Sequence, residues 1–188
     1  MPFGLAAFVN NSTAGHATIT NHLHCDTFFG DNSSAGSATI FVDEESFVEF
    51  NNNSSAGNAT MFGLGAIEFL GSSTAANASI SDTGGVGSEI RFGASSSAGN
   101  ASIFVNSAVL FFSDSSTGTT GPIELSFNPI WQRIAALIID DHNFPGLTIG
   151  SIKGDDTSLV SLGSNNLTVG SNTSVCFVSP CAKLTFCV

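Results

Sequence analysis

Large apolar residues recur at fixed positions along the first two thirds of the chain. Each of six phenylalanines is followed eleven residues later by isoleucine or methionine. These pairs are Phe8 and Ile19, Phe29 and Ile40, Phe50 and Met61, Phe69 and Ile80, Phe92 and Ile103, and Phe112 and Ile123. A unit repeated at this length is typical of a solenoid, in which each copy forms one coil and buries its apolar face only against its neighbours.

Two short strands are predicted in each coil. A small residue, Ala in five copies and Gly121 in the last, stands two positions before each Ile or Met, so both point to the same side of a strand. A second strand ends at each Phe, as in 48–50 (VEF) and 67–69 (IEF). The link between them is constant in length and contains a turn such as Ser34-Ala35-Gly36, where glycine permits a tight corner.

The remaining link of each coil varies in length, which places insertions at one edge of the stack. We therefore predict an all-β, single-stranded parallel β-helix (β-solenoid), with about six coils of about 21 residues and irregular C-terminal coils. A disordered Ser/Gly/Asn-rich chain and a β-sandwich are the alternatives. The 17 Phe residues oppose the first, and the fixed repeat opposes the second.

Three regions are predicted: a β-solenoid repeat at 1–127, an irregular connector or cap at 128–145, and terminal β coils with a Cys-rich tail at 146–188. The connector contains the lone Trp131, expected in the core or in a cap, and residues 128–139 form a short helix or a strand. Strand patterns return at 147–149, 159–162 and 167–169. The sequence leaves the pairing of the four cysteines open. They are Cys25, Cys176, Cys181 and Cys187.

Charge narrows the classes of partner. The net charge is −11, and the four basic residues are scattered along the chain, so phosphate backbones are repelled and no nucleic-acid partner is expected. No apolar run approaches the length of a membrane span, and the N-terminus carries no signal-peptide pattern. Open solenoid ends predict self-association, because they expose unpaired strand edges.

The repeats resemble the β-helical passenger regions of bacterial autotransporters, which are secreted and anchored through a C-terminal outer-membrane barrel. The similarity lies in FNNNSSAGNAT at 50–60, SSAGNASI at 96–103, GLTIGSIKGDD at 146–156 and LGSNNLTVG at 162–170. It covers roughly residues 6–127 and 144–172. The resemblance implies an extracellular or cell-surface location and a fragment of a longer protein, without its signal peptide and barrel.

One set of outward residues is a candidate binding surface. The position between the small residue and the Ile or Met carries a hydroxyl in five copies, and stacking aligns these as a ladder. The ladder is formed by Thr18, Thr39, Thr60, Ser79 and Ser102. Such a ladder either contacts polysaccharide or ice, or reflects only the suitability of β-branched residues for a solvent-facing strand.

Metal-binding and catalytic signals are weak. Residues 22–26 (HLHCD) bring together two His, Cys25 and Asp26, and the acidic pairs at 44–45, 140–141 and 155–156 suit Ca²⁺, but such residues also occur in ordinary solvated loops. The repeated serines lack a recurring histidine base. We expect no metal, no cofactor and no enzymatic activity. A polysaccharide lyase or hydrolase is the least favoured alternative.

The sequence thus predicts a structural or adhesive segment of an exported bacterial surface protein, whose partners are a host surface or a polysaccharide. The alternative is a binding module that uses the hydroxyl ladder.

Overall fold

The computed structural model of the chain describes residues 4–170 and 176–177, and every regular element in that part is a β-strand. In chain order the strands are β1 (Gly4–Phe8), β2 (Thr18–Asn21), β3 (Cys25–Phe29), β4 (Thr39–Val42), β5 (Phe47–Phe50), β6 (Thr60–Gly63), β7 (Ala66–Phe69), β8 (Ser79–Asp82), β9 (Glu89–Phe92), β10 (Ser102–Asn106), β11 (Val109–Phe112), β12 (Pro122–Ser126), β13 (Ala136–Ile138), β14 (Gly146–Ile149), β15 (Ser151–Gly154), β16 (Leu159–Ser161), β17 (Asn166–Val169) and β18 (Cys176–Phe177).

Two parallel sheets of eight strands form two sides of the solenoid. Sheet 1 has the order β1-β3-β5-β7-β9-β11-β13-β16, and sheet 2 has the order β2-β4-β6-β8-β10-β12-β15-β18. The chain alternates between them, so each coil adds one strand to each sheet. A third side joins them through single parallel bridges between Ser or Thr residues of successive coils, from Thr13 to Thr117. The predicted parallel β-solenoid is confirmed, with eight coils.

The six repeating phenylalanines form one continuous column inside sheet 1. Successive rings from Phe8 to Phe112 are stacked, with centroids 4.7–4.9 Å apart. The five rings after Phe8 are at most 1% exposed. The stacking distance equals the spacing of neighbouring strands, because parallel pairing without a register shift places equivalent residues directly above one another.

Sheet 2 supplies the opposite side of the core. Ile40, Met61, Ile80 and Ile103 pair in register and are at most 1% exposed, as is Ile123 in the next coil. The small residues that precede them, such as Ala38 and Ala59, are also buried. In the first coil Ala17 is exposed and Ile19 is only partly buried.

Left-handed backbone conformations make the corners of each coil. Gly36 and Gly57 have φ of +65° and +63°, and a Cβ on Gly57 would lie 2.6 Å from the Gly36 carbonyl oxygen. Glycine avoids both the strain and the clash. The fourth coil nevertheless places Ala76 at this corner, with φ of +51°. The predicted glycine corner is therefore confirmed in the coils of Gly15, Gly36, Gly57 and Gly99. In the sixth coil Thr119 stands at this position and is outside the set with positive φ.

Loop length varies at the edge where sheet 2 connects back to sheet 1. The link between β6 and β7 contains only Leu64 and Gly65, whereas residues 127–135 separate β12 from β13. Loops at this edge project outward without disturbing the register of the strands. The predicted accumulation of insertions at one edge is confirmed.

The C-terminal coils continue the same stack. Within the connector, for which the sequence left a helix or a strand open, β13 pairs with β11 in sheet 1, and the buried Ile139 follows β13 where each earlier coil has its Phe. The third side of these two coils is a true strand pair, β14 and β17. The third side thus changes from single bridges in the earlier coils to a strand pair in these two coils. Cys181 and Cys187, with most of the predicted Cys-rich tail, lie outside the described residues, and Cys25 is a free thiol.

A candidate binding face on sheet 2

The structure brings the five hydroxyl residues of the predicted ladder together. Thr18 pairs with Thr39, Thr39 with Thr60, Thr60 with Ser79, and Ser79 with Ser102. Thr39 and Thr60 are half-buried, and the other three are exposed. Because strand residues alternate between the two faces, all five lie on the outer face of sheet 2, one in each coil.

A second column lies beside this ladder, two residues farther along each strand. Its members are Thr20, Phe41, Phe62, Ser81 and Phe104, which pair in register through β2, β4, β6, β8 and β10. Phe41 and Phe62 are 40% and 41% exposed, and their rings stack with centroids 5.6 Å apart and an angle of 18° between planes. Solvent-exposed aromatic rings at these positions distinguish this face from an ordinary polar strand surface.

These two columns carry no charge over five coils, although the protein has 15 acidic residues. We call the ten residues of these two columns the sheet 2 face. The first charged residues beyond it are Glu124 and Lys153, whose Oε1 and Nζ atoms form an exposed ion pair at 2.9 Å. The Glu124 carboxylate raises the pKa of Lys153 through a hydrogen bond and its charge. Contacts to the sheet 2 face must therefore be hydrogen-bonding and apolar.

The outer face of sheet 1 is electrostatically different. Glu49, Glu68 and Arg91 stack in register there. Burial, followed by the charges of Glu89 and Glu49, raises the pKa of Glu68. The Arg91 guanidinium carbon lies 5.8 Å from the centroid of the Phe111 ring. The carboxylates of Glu49 and Glu68 would repel an anion at this part of the face.

A buried carboxyl group interrupts the core column of sheet 2. Asp82 is fully buried between Gly63 and Val105 of the adjacent coils, and its Oδ1 accepts hydrogen bonds from Ser88 Oγ and Gly84 N. Its Oδ2 has no hydrogen-bond partner among the described residues. Burial raises the pKa of Asp82 to about 6, against the lowering effect of both hydrogen bonds. The burial of Asp82 was not predicted from the sequence, although the repeat aligns it with Gly63 and Val105.

The cluster at residues 22–26 does not converge on one point. His22 Nδ1 lies 3.0 Å from Asp43 Oδ2, and His24 Nε2 lies 3.4 Å from Glu45 Oε2 in the next coil. The Asp26 carboxylate accepts a hydrogen bond from Phe47 N. Across residues 4–170, no three His, Cys, Asp or Glu side chains are grouped to hold a metal ion.

The two C-terminal acidic pairs have structural contacts of their own. The Asp155 carboxylate accepts hydrogen bonds from Phe127 N, Thr157 and Ser158, and Asp140 Oδ1 accepts one from Ser161 Oγ at 2.7 Å. Asp155 thereby ties the long loop after β12 to the loop after β15. These oxygens accept hydrogen bonds from the protein itself, from the same loop or from a neighbouring loop or strand.

Two further polar columns consist of residues that repeat at fixed offsets, and the repeated serines were noted in the sequence, but their burial was not predicted. Asn58, Asn77 and Asn100 form a chain of side-chain hydrogen bonds of 3.2 and 3.0 Å, which Thr120 extends. A buried serine column runs along the corner after the Phe column, and its hydroxyl oxygens have no hydrogen-bond partner among the described residues. Its members are Ser33, Ser54, Ser73, Ser96 and Ser116.

Among the described residues there is no helix long and apolar enough to cross a membrane. No protein-family model, no curated protein and no solved structure matches this chain.

Proposed function

We propose that this chain is a structural and adhesive segment of an exported bacterial surface protein, in which the solenoid serves as a stiff spacer and presents the sheet 2 face to its surroundings. The observation that carries the proposal is the uninterrupted stack of eight coils with an uncharged, partly aromatic outer face over five of them. The similarity of the repeats to autotransporter passengers supports the exported location.

The architecture suits a spacer for a physical reason. Each coil contacts its neighbours through two parallel sheets and a shared core, so local bending breaks several ladders together. The columns of Phe and Ile are continuous, which leaves no interdomain hinge between residues 8 and 125. A rod of this kind separates a contact surface from an anchor.

The location is tested on cells that express the natural gene. Antibodies against the solenoid should label intact cells, and external protease should remove the labelling. Labelling that appears only after permeabilisation would contradict an exported role. Beads coated with the purified chain test adhesion separately, since they should attach to polysaccharide-coated surfaces more strongly than beads coated with albumin.

The second candidate is a binding module in which the hydroxyl ladder itself recognises polysaccharide or ice. The in-register alignment of Thr39, Thr60 and Ser79 favours it, because equivalent hydroxyls are spaced at one strand interval. Replacement of Thr18, Thr39 and Thr60 by lysine should abolish binding while the fold remains. Thermal hysteresis of the wild-type chain distinguishes ice from polysaccharide, and equal binding by the triple variant would exclude the ladder.

A further inference from the structure

The aromatic column of the sheet 2 face has a gap one residue wide. Phe62 and Phe104 occupy equivalent positions two coils apart, and the strand between them carries the small Ser81. Two strand intervals separate the two phenylalanines by roughly 9–10 Å. Ser81 and Phe104 are both partly exposed, so the gap opens to solvent.

The gap matches the thickness of one ring. Rings in the core column stack at 4.7–4.9 Å, and a ring centred over Ser81 would lie at about that distance from both phenylalanines. Phe62 already stacks on Phe41 on one side, with the planes within 18°, and its neighbour in the column on the other side is Ser81. A flat ligand inserted here would continue the column.

The surroundings of the gap determine the chemical class of that ligand. Hydroxyls of Thr60, Ser79 and Ser102 stand beside it in the neighbouring column, and Ser81 forms its floor. The ten positions of the sheet 2 face include no charged side chain, in a protein of net charge −11. A pyranose ring has an apolar C–H surface that packs on aromatic faces, and a rim of hydroxyls that pair with Ser and Thr.

We propose that the Phe62–Ser81–Phe104 gap binds a sugar ring of a neutral polysaccharide, which lies along the sheet 2 face with its hydroxyls on the Thr60, Ser79 and Ser102 column. This inference rests on the proposed adhesive function and names its ligand. Binding is insensitive to salt, because no ion pair contributes to it. An acidic polysaccharide is disfavoured by the negative charge of the whole protein.

The decisive variant is Ser81→Phe, which fills the gap with the ring that the column lacks. Its partner variant, Phe62→Ala, removes one wall. The matched control is Phe47→Ala, because Phe47 is 38% exposed, close to the 41% of Phe62, but lies on the outer face of sheet 1. Urea unfolding of each variant confirms that the fold is retained.

Calorimetry with cellohexaose, mannohexaose and laminarihexaose, and with polygalacturonate as the acidic comparison, measures binding. We expect at least one neutral oligosaccharide to bind, with affinity lowered at least tenfold in Ser81→Phe and Phe62→Ala and unchanged in Phe47→Ala. Unchanged binding by Ser81→Phe, equal loss in the control, preference for polygalacturonate, or no binding by any neutral oligosaccharide would overturn the proposal. Surface labelling of intact cells is independent of these outcomes, so a negative result leaves the proposed function standing.

Discussion

The buried carboxyl group of Asp82 makes the stability of the solenoid depend on pH. The side chain is 0% exposed, and burial raises its pKa from an ordinary value of 3.8 to about 6. Because the folded state favours the protonated form, this contribution to stability is fully present below pH 3.8. It is lost as the pH rises through 6.

The magnitude follows from the difference of about 2 pH units between the two pKa values. Each unit corresponds to ~1.4 kcal/mol, so ionisation of Asp82 should cost about 3 kcal/mol of unfolding free energy. Substitution Asp82→Asn removes the titration. Relative to the wild type, this variant should therefore gain about 2 kcal/mol between pH 4 and pH 7, because the unfolded-state carboxyl is already more than half ionised at pH 4.

Urea unfolding followed by far-ultraviolet circular dichroism at pH 4, 5, 6 and 7 measures this difference. Comparison with the wild type at each pH cancels the titration of the remaining acidic groups. The Ser88 hydroxyl donates to Asp82 Oδ1 and thereby lowers the pKa of Asp82. The variant Ser88→Ala removes this hydrogen bond, so the loss of unfolding free energy with rising pH should become larger. A constant difference between Asp82→Asn and the wild type from pH 4 to pH 7 would show that the pKa of Asp82 is not raised by folding.

Three further predictions concern the stacked columns. Phe69→Ala should lower the unfolding free energy by about 3–5 kcal/mol through the cavity it leaves, and a loss no larger than that of the exposed Phe62→Ala in the same urea titration would contradict the burial. Ser73→Ala should raise stability by about 1–3 kcal/mol, because it removes a buried hydroxyl that has no hydrogen-bond partner among the described residues; destabilisation in chemical denaturation would show that the hydroxyl is satisfied. Ala76→Gly should raise the melting temperature, because it relieves about 1 kcal/mol of strain at φ of +51°. Ala75→Gly should lower the melting temperature, because Ala75 is buried and does not have a positive φ.

The sequence predicted the solenoid because its repeat encodes both the strand period and the stacking. Phe50 and Met61 lie eleven residues apart in one coil, and the same spacing in every copy allows the rings and the aliphatic chains to stack on their equivalents. It also placed the outward hydroxyl ladder, since residues between two inward neighbours on a strand must face solvent. These conclusions need only the local period and the equivalence of the repeats.

The tertiary structure was needed to show which side chains are buried or exposed within and between the columns. The repeat already aligns Phe62, Ser81 and Phe104 in one column, but only the structure shows that Ser81 and Phe104 are both partly exposed, so that the gap opens to solvent. The raised pKa of Asp82 likewise depends on Gly63 and Val105, which supply no charge from the adjacent coils. Repeats determine which residues share a column, but the loops from sheet 2 back to sheet 1, from two residues to nine, determine where each coil departs from the pattern. Burial, polar satisfaction and surface shape depend on those departures, because they are properties of neighbours in space rather than of neighbours in sequence.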